Sequence, residues 1–369
     1  MFADIDVTGA LAERVRIAAA GGAPLRIRGG GSKDFYGQSL QGELLDTAAL
    51  AGVSSYEPSE LVVTVGAGTR LAELEALLAA QGQCLPFEPP HFAGVATVGG
   101  MVASGLSGPA RASAGAVRDY VLGLKLINGR GELLTFGGQV MKNVAGYDVS
   151  RLMVGAMGTL GLITEVSLKV LPMAPMEATL SFECSQAQAL DWLNAWGGRP
   201  LPLNASYWVE DAGVGTLCLR LRGAQAAVEA ACKTLGGERQ DGPQAAADWL
   251  ACRDQQLPWF RQRSNTQDLW RLSVPQTAPV LDLPESPLVE WHGGQRWVRA
   301  DAGQGQQLRD VAAHAGGHAT LFIAGSAVGT AAMARFDALK SPLDRIHREL
   351  KREFDPAGIF NRGRMSADW

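Results

Sequence analysis

The sequence lacks the cysteine patterns that build disulfide frameworks or hold metal clusters. Its cysteines are scattered, and no two of them stand in CxxC spacing. They are Cys84, Cys184, Cys218, Cys232 and Cys252. An odd number without paired spacing predicts free thiols and excludes an iron–sulfur or zinc site built from cysteines. We therefore predict that the chain holds no metal of its own.

A strong positive charge and long apolar runs are also missing. Lys and Arg total 33 against 37 Asp and Glu, and no basic run occurs, so the footprint of a nucleic-acid-binding protein is absent. Gly, Arg or Asp interrupts every apolar stretch well before the ~18 residues that a membrane span requires. The N-terminal stretch MFADIDVTGALAERVR has acidic residues where a signal peptide has basic ones. These absences predict a cytoplasmic protein.

Glycine, in contrast, is abundant and concentrated in runs. Among the 45 glycines, five lie in the nearly uncharged run GVATVGGMVASGLSG at 94–108. Because glycine has no Cβ, the N–H groups of such a run can approach a flat or anionic ligand closely. The run predicts a site for a dinucleotide pyrophosphate. The alternative is a tightly packed turn region in an ordinary core.

A second glycine run, GGGSK at 29–33, follows a predicted strand at 24–28 and adds a hydroxyl and a cation. This composition fits a phosphate, but the GxxxxGK[ST] spacing of a P-loop is missing, and a flexible turn is the alternative. Further on, a predicted strand at 61–65 leads through GAGT into a helix. Leu71 stands where a Rossmann motif has its third glycine, so this pattern favours a tight strand-to-helix turn.

Apolar periodicity predicts the remaining elements. In the first half it predicts a helix over 8–20 capped by Thr8, and a hairpin with its turn at 128–131. In the second half it predicts strands at 178–183, 205–209, 216–222, 269–274, 290–291, 296–299 and 319–323, and helices at 186–196 and 224–235. Two β-α-β-like units of this size predict a compact ferredoxin-like domain.

Five ordered motifs resemble the FAD-binding domain of the vanillyl-alcohol oxidase / p-cresol methylhydroxylase (PCMH) superfamily. They are RGGGSK (28–33), VVTVGAGT (62–69), ATVGGMVASGLSGP (96–109), KNVAGYD (142–148) and GAMGTLGLITEV (155–166). Within the superfamily the sequence is most similar to the FAD-binding E subunits of bacterial glycolate oxidases. The similarity extends to FDPAGIFNRGR at 354–364. Met157 departs from the family, in which a glutamate is common at this place.

The resemblance implies an α+β fold with three parts. A PCMH-type FAD-binding domain of two subdomains spans 1–174, a smaller ferredoxin-like cap domain spans 175–340, and a C-terminal segment at 341–369 returns to the FAD domain. The resemblance also implies FAD, with its pyrophosphate between the 28–33 loop and the 97–108 run. Relatives that bind flavin covalently use a His or Cys, whereas this first loop has Ser32 and Lys33. We therefore expect noncovalent FAD and an ordinary loop residue in His91.

The motifs assign the FAD-binding role to a defined set of residues. These are Arg28, Gly29, Gly30, Gly31, Ser32, Lys33, Pro90, Thr97, Val98, Gly99, Gly100, Ala103, Ser104, Gly108, Gly146, Tyr147, Asp148, Gly158, Thr159, Gly161, Ile163 and Asn361. Hydrogen bonds to a charged group contribute about 1.5–3 kcal/mol each, so half a dozen N–H donors could supply most of the affinity.

The cap lacks the HxGDGNxH-like motif that places a metal or a base over the flavin in substrate-oxidising relatives. His314 and His318 have i,i+4 spacing, but the two glycines between them predict a turn rather than a metal site. For a small 2-hydroxy acid, Arg271 or Arg296 is the candidate carboxylate clamp, since a guanidinium offers a planar fork. His318 or His292 is the candidate base for the hydroxyl proton.

The resemblance implies an FAD-carrying subunit of a multi-subunit glycolate oxidase, which oxidises glycolate to glyoxylate. Its implied partners are a homologous FAD-containing D subunit and an iron–sulfur F subunit, and contact with the inner face of the membrane comes only through them. Two alternatives stay open: a self-sufficient flavin-dependent 2-hydroxy-acid dehydrogenase, and an assembly or scaffold subunit with a non-catalytic site. The missing cap motif and the absence of a cluster-binding motif favour the subunit of a complex.

Overall fold

The computed structural model describes residues 6–138, 147–240, 242–326 and 333–367. The helices in these ranges are α1 (Val7–Gly21), α2 (Leu71–Ala79), α3 (Val98–Ser104), α4 (Arg111–Ala114), α5 (Val149–Leu152), α6 (Gln186–Gly197), α7 (Gln225–Leu235), α8 (Pro243–Arg253), α9 (Pro258–Arg261), α10 (Gly305–His314) and α11 (Leu343–Phe354). The strands are β1 (Leu25–Arg28), β2 (Glu43–Asp46), β3 (Val53–Glu57), β4 (Val62–Gly66), β5 (Gln83–Cys84), β6 (Val121–Ile127), β7 (Leu133–Gly137), β8 (Leu162–Lys169), β9 (Leu171–Pro172), β10 (Met176–Glu183), β11 (Leu203–Asp211), β12 (Val214–Gly223), β13 (Glu238–Gln240), β14 (Asp268–Ser273), β15 (Leu288–Glu290), β16 (Gln295–Ala300) and β17 (His318–Ile323).

The first helix and the end of the chain pack together on a small parallel sheet of β1 and β2. The Leu25 N–H donates to the Ile359 carbonyl at 2.8 Å, and the Leu25 carbonyl accepts from the Asn361 N–H at 3.0 Å. The C-terminal segment therefore pairs with the edge of β1 through backbone hydrogen bonds. The predicted N-cap of α1 is wrong: Asp6, not Thr8, caps this helix by accepting from the Gly9 N–H at 3.0 Å. Asp and Thr are both favoured at the N-cap position, so the sequence pattern leaves the choice to the path of the chain.

A five-stranded sheet in the order β3-β4-β8-β6-β7 forms the centre of the N-terminal half, and all its neighbours are antiparallel. The β6–β7 pairing confirms the predicted hairpin with its turn at 128–131. A Rossmann site requires parallel strands joined by crossover helices, so the antiparallel order excludes it here. The link between β4 and α2 is the tight turn that Leu71 predicts.

Half of the glycine run at 94–108 is helical, which its composition does not predict. α3 begins after Thr97, whose hydroxyl accepts from the Gly100 N–H at 3.3 Å. The helix buries Val98, Met101 and Val102 on the five-stranded sheet, and this spacing places all three on one face. The core-packing interpretation is therefore right for the face of α3 that carries these three residues, and the pyrophosphate site stays a prediction.

The second large sheet has eight strands in the order β13-β10-β12-β11-β15-β16-β14-β17, again with antiparallel neighbours. Its first four strands, with α6 and α7, form a unit whose first and third strands lie at the centre. The last four strands repeat this order, and the two units join through β11 and β15. This arrangement confirms the predicted ferredoxin-like cap, here a doubled one.

The two faces of the cap sheet have different neighbours. One face carries Trp208 and packs against α6 and α7 of the cap itself. The other face carries Trp297 and Phe322, which cluster with Tyr36 and Leu106 of the N-terminal half. Successive strand residues point to opposite faces, so the sheet can serve both contacts. Any site between the halves is consequently lined by both of them.

Some sequence predictions fall outside this description or stay open. Gly146 and most of the KNVAGYD motif lie in 139–146, outside the described residues. The domain boundaries at 174/175 and 340/341 stay predictions. Among the described residues, no helix is long and apolar enough to cross a membrane.

Candidate functional site

A cleft opens between the loop after β1 and the exposed face of α3. Met157, and Asn361 and Arg364 from the C-terminal segment, close it from the other sides. The residues that line the cleft are Ile27, Arg28, Gly29, Gly30, Gly31, Ser32, Lys33, Asp34, Leu40, Thr97, Gly100, Ala103, Ser104, Met157, Asn361 and Arg364. The structure thus brings together the two glycine runs that the sequence singles out.

The two glycine runs touch through their backbones. A Cβ added at Gly30 would lie 1.5 Å from the Val95 carbonyl oxygen, so only glycine permits this approach. At Gly100, apart from the helix's own backbone, the Thr97 hydroxyl oxygen at 3.2 Å is the one described heavy atom within 4 Å of an added Cβ. Gly100 therefore leaves its space to the cleft.

The backbone N–H groups of the 29–33 loop are free to bind a ligand. No described group accepts a hydrogen bond from any of them. Unpaired N–H groups in a turn are a binding surface for anions, and a pyrophosphate has oxygens that accept such bonds. The loop therefore fits the phosphate part of a dinucleotide without needing a side-chain contact.

Cations in the cleft differ in how far they are already engaged. Arg28 pairs with Asp34 at 2.8 Å, and Arg364 donates to the carbonyls of Lys33 and Asp34 at 3.1 Å. The Lys33 ammonium lies 5.4 Å from the centre of the Phe92 ring. Burial lowers the pKa of Lys33 to about 8, and the Asp254 carboxylate opposes part of that shift. A desolvated ammonium is stabilised when an anion enters beside it, so Lys33 fits a phosphate partner.

Asn361 joins three segments at the floor of the cleft. Its side-chain oxygen accepts from the Ile27 N–H at 2.8 Å, and its Nδ2 donates to the Met157 carbonyl at 2.7 Å. Its φ of 40° is in the left-handed region, which asparagine tolerates better than most residues. A Cβ at Gly158 would lie 2.7 Å from the same Nδ2, so this crossing also requires glycine. Asn361 thus fixes the position of the cleft wall.

The remaining predicted FAD-binding residues lie around the cleft. Pro90 and Gly108 lie where the N-terminal half meets the cap, and the Gly108 carbonyl accepts from Trp291 Nε1 at 3.0 Å. Tyr147 is 97 % exposed, and Asp148 caps α5. Packed in or against the core are Val98, Gly99, Thr159, Gly161 and Ile163. Their roles toward FAD stay predictions.

A buried ion pair anchors the C-terminal segment beside the cleft. Lys351 Nζ donates to Asp355 Oδ2 at 2.7 Å, to the Thr159 carbonyl at 2.7 Å and to the Phe360 carbonyl at 3.0 Å. Both side chains are almost fully buried. Burial lowers the pKa of Lys351, and Asp355 opposes that shift. Sequence reasoning misses this pair; its only signal is the i,i+4 spacing of Lys and Asp at the end of an amphipathic helix.

A second charged cluster joins the two halves of the chain. Glu88, in the proline-rich stretch before the glycine run, accepts from Arg220 at 2.6 and 2.7 Å and from Arg222 at 3.0 Å. Burial raises the pKa of Glu88, but the two guanidiniums outweigh it and hold that pKa below its usual range. Arg220 also stacks on Trp249, 4.7 Å from the ring centre. The cap is thus tied to the N-terminal half at a fixed place.

A second cavity lies between the end of the glycine run and the cap sheet. Its lining residues are Gly105, Ser107, Arg111, Ala112, Arg271, Ser273, Val274, Gln276, Trp291, Gly294 and His318. It therefore contains Arg271 and His318, two of the four catalytic candidates. Partial desolvation of its ring lowers the pKa of His318, the positive charge of Arg271 adds to this effect, and Asp337 opposes part of it. His318 is consequently neutral at pH 7 and can accept a proton.

The other two catalytic candidates do not line this cavity. Arg296 is completely buried, and its guanidinium donates to the carbonyls of Gly293 and Ala278. The His292 ring is held between the hydroxyls of Ser113 at 3.0 Å and Ser206 at 2.9 Å. Burial lowers the pKa of His292 to about 4. Both side chains are engaged in holding the cap together or holding it to the N-terminal half.

A smaller cavity continues behind the second one and shares Ser107 and Arg271 with it. In its wall, Glu290 accepts from the Cys252 thiol at 3.0 Å, from Gln295 Nε2 at 2.8 Å and from Trp297 Nε1. Burial raises the pKa of both Glu290 and the Cys252 thiol. Cys252 therefore stays a protonated, hydrogen-bonded thiol rather than a nucleophile.

The histidines and cysteines are described in full, and none of them lines the cleft. His91 pairs through Nε2 with Glu75 at 3.0 Å, and its backbone N–H donates to Asp254 at 2.7 Å. α10 ends at His314 and β17 begins at His318, which confirms the predicted turn between them. In the described part of the chain, no group of three or more His, Cys, Asp or Glu is placed to hold a metal ion.

Comparison with known proteins gives a consistent assignment. A family model described as an FAD binding domain matches residues 6–137. The chain is 44% identical over 368 residues to the glycolate oxidase subunit GlcE of Escherichia coli K12, and the match covers 100% of both chains. It is 33% identical over 124 residues to the glycolate oxidase subunit GlcD of Bacillus subtilis, which covers 34% of this chain and 26% of that relative.

Solved structures agree on the fold. An alkyldihydroxyacetonephosphate synthase structure superposes with a TM-score of 0.63 and covers 95% of this chain and 73% of that one. Its sequence identity is 15%, so the likeness concerns the fold alone. Together with the two sheets described above, it confirms the α+β fold of the PCMH type.

Proposed function

Because the chain belongs to the family of the glycolate oxidase E subunit and contains that family's FAD-binding domain, we propose that it is the FAD-binding subunit of a multi-subunit glycolate oxidase. In this role it passes the electrons of a 2-hydroxy acid through its flavin to a partner iron–sulfur subunit. The observation that carries the proposal is the cleft in which both glycine runs meet and present unpaired N–H groups.

The cleft residues divide the binding of FAD among themselves. The N–H groups of the 29–33 loop hydrogen-bond the pyrophosphate, and the Lys33 ammonium neutralises part of its charge. Gly100 keeps the facing side of the cleft open, since a side chain there would enter it. Asn361 and Arg364 hold the loop and the C-terminal segment in place around the cofactor.

We propose that FAD is bound without a covalent bond. Covalent flavin attachment in the superfamily uses a His or Cys side chain, and the cleft is lined by neither. Cys252, in the smaller cavity, is a protonated thiol that donates to Glu290. His91 is engaged with Glu75. The polar side chains of the first loop itself are those of Ser32 and Lys33, and neither is a His or a Cys.

The second cavity supplies groups for the substrate. When bound, FAD would accept a hydride at its N5 atom. The Arg271 guanidinium binds the carboxylate of glycolate, and a neutral imidazole nitrogen of His318 takes the hydroxyl proton. Loss of that proton and of one hydride from the alcohol carbon converts glycolate to glyoxylate. Arg296 and His292 have no part in this assignment, because their hydrogen bonds are used inside the fold.

The proposed partners are a homologous FAD-containing D subunit and an iron–sulfur F subunit. The names of the GlcE and GlcD relatives, both glycolate oxidase subunits, support a complex of different chains. In the proposed complex the iron–sulfur subunit carries the electrons onward from the flavin. Any contact with a membrane is proposed to come through these partners.

The test is anaerobic mixing of the FAD-loaded chain, assembled with its partner subunits, with glycolate. We expect the visible flavin band to bleach. His318→Gln should slow bleaching by roughly 10²-fold or more, as expected for loss of a general base. His314→Gln is the matched control, because His314 lies in the same region and bonds the Asp310 carbonyl outside the cavity.

The pH profile separates a base from a structural histidine. Because the pKa of His318 is below its ordinary value, bleaching should be constant near neutral pH and fall only at lower pH, where the imidazole takes up a proton. Flavin that stays oxidised in the assembled complex would contradict the proposal. Equal rates for the His318 and His314 variants would remove His318 from it.

A further inference from the structure

The second cavity holds two positive charges and no negative one. Arg111 belongs to α4, directly after the glycine run, and Arg271 belongs to β14 of the cap. No Asp or Glu is among the residues that line this cavity. Its polar lining otherwise consists of Ser107, Ser273, Gln276 and the neutral His318. The cavity is thus positively charged, with one guanidinium from each half of the chain.

Arg111 is held by the face of its guanidinium. This group lies 4.5 Å from the centre of the Trp291 ring, and no hydrogen bond or salt bridge joins it to any described residue. Trp291 is fixed in turn, because its Nε1 donates to the Gly108 carbonyl at 3.0 Å. Stacking on an aromatic ring positions a guanidinium while leaving its in-plane N–H donors free.

The backbone under Trp291 is strained. Trp291 and His292 have φ values of 55° and 53°, a region that bulky residues rarely adopt. Two consecutive residues of this kind persist only where the surroundings impose them, and such positions cluster at functional sites. Here the strain presents the Trp291 ring to Arg111 at the cavity wall.

Arg271 also has unused donors. Its Nη2 donates to the Tyr36 hydroxyl at 3.2 Å, whereas its buried Nε–H has no acceptor among the described residues. Glu290, which lines the smaller cavity together with Arg271, already accepts three hydrogen bonds from other side chains. Two cations that face one cavity without an acid between them repel each other until an anion binds. Burial and the charge of Arg271 both lower the pKa of Arg111, and the Asp119 carboxylate opposes part of that shift.

We propose that Arg111 and Arg271 together bind the carboxylate of the substrate, so that the FAD-binding half and the cap each supply one guanidinium. This proposal rests on the proposed function and adds Arg111, a residue outside every sequence motif used to assign the site. Ser107, Ser273 and Gln276 are placed to hydrogen-bond the rest of a small hydroxy acid. The ligand class is therefore a small carboxylate anion. The site is complete only when both halves are in place.

The test measures carboxylate binding to the full chain loaded with FAD. Oxalate and glycolate serve as probes, and ethylene glycol serves as the analogue without a carboxylate. Binding is followed by calorimetry and by the change in the flavin absorption spectrum. We expect Arg111→Met and Arg271→Met each to raise the Kd for oxalate by roughly tenfold to a hundredfold, which corresponds to one charge-assisted interaction.

Arg118→Met is the matched control. Arg118 is exposed on the same segment, its charge lowers the pKa of Arg111, and it does not line the cavity. Its Kd for oxalate should stay within about twofold of the original, so an effect of net charge alone is distinguishable from direct binding. FAD content and thermal unfolding of each variant show whether it has folded.

The outcomes separate this inference from the proposed function. Oxalate that binds FAD-loaded Arg111→Met as tightly as the original chain would overturn the role of Arg111 while leaving the FAD subunit intact. Ethylene glycol that perturbs the flavin as strongly as glycolate would overturn the carboxylate assignment. A chain that cannot be loaded with FAD would instead contradict the proposed function.

Discussion

Gly100→Val should strongly weaken FAD binding while leaving the fold intact. The added side chain points into the cleft, since only the Thr97 hydroxyl oxygen, at 3.2 Å, lies within 4 Å of its Cβ among described atoms outside the helix backbone. Inside α3, valine is no worse than glycine in helix propensity, so the free energy of unfolding should change by less than about 1 kcal/mol. The substitution should therefore lower the affinity for FAD rather than the stability of the protein.

The size of the effect follows from the hydrogen bonds that the cleft offers. If the valine side chain displaces the pyrophosphate from two N–H donors, and each such bond contributes about 1.5–3 kcal/mol, the loss is about 3–6 kcal/mol. This loss weakens FAD binding by roughly a hundredfold to ten-thousandfold. A protein that retains its flavin during purification would then lose it.

The assay is the Kd for FAD of the flavin-free chain, measured by quenching of flavin fluorescence, beside chemical denaturation. Gly94→Val is the matched control, because an added Cβ at Gly94 meets no described atom within 4 Å and Gly94 does not line the cleft. The control should bind FAD normally. Gly100→Val with a normal Kd would refute the placement of the pyrophosphate in this cleft, and a large loss of stability would refute the claim that its side chain enters open space.

Three further predictions concern charged groups. The Kd for FAD should rise as pH increases through about 8, where Lys33 loses its proton, and Lys33→Met should remove this dependence in a titration from pH 6.5 to 9.5. Lys351→Met should cost about 3–5 kcal/mol in the free energy of unfolding, because it leaves the buried Asp355 carboxylate unpaired, as denaturant titration can measure. Glu88→Gln should destabilise the contact between the halves by a similar amount, since it leaves the buried Arg220 without its carboxylate; in the original chain this contribution is lost only as pH falls through the lowered pKa of Glu88.

Each of these predictions has an outcome that contradicts it. A pH dependence of FAD binding that survives in Lys33→Met would assign it to another group. Lys351→Met with unchanged unfolding would show that Asp355 finds another partner or takes up a proton at little cost. Glu177→Gln is the control for Glu88→Gln, because Glu177 binds the more exposed Arg222 at the rim. If the two substitutions destabilise the protein equally, Glu88 contributes no more to the contact between the halves than the more exposed ion pair does.

The sequence predicts the elements whose pattern is local. The β6–β7 hairpin has alternating strands around an Asn-Gly turn, and the two cap units have well-separated strands and helices. These features depend on neighbours in the chain. α3 escapes prediction because its glycines lower helix propensity, while its stability comes from Val98 and Met101 packed on the sheet.

The cleft follows from sequence only in part. Two glycine runs with a lysine indicate an anion site, and the structure brings them into contact at Gly30. Their common wall contains Asn361 and Arg364, whose hydrogen bonds to Ile27 and Lys33 span 334 and 331 residues of the chain. Such a contact has no local signal, and here only the family resemblance of the C-terminal segment predicts it.

Prediction from sequence is weakest for the functional residues of the cap. In the sequence, Arg271 is equivalent to Arg296 and His292 is equivalent to His318, and only burial and contacts distinguish the members of each pair. Arg296 is buried on two carbonyls, whereas Arg271 keeps a free Nε–H at a cavity. Arg111 carries no signal beyond its position after the glycine run. Its place in the cavity depends on the Trp291 ring, which belongs to the other half of the chain.

We propose that this chain holds FAD, without a covalent bond, in the cleft between its two glycine runs. The most direct measurement is the flavin content of the purified full chain, followed by acid denaturation and separation of supernatant from precipitate. We predict stoichiometric FAD that passes completely into the supernatant. A chain without flavin after incubation with FAD, or flavin that stays attached to the precipitated protein, would contradict the claim.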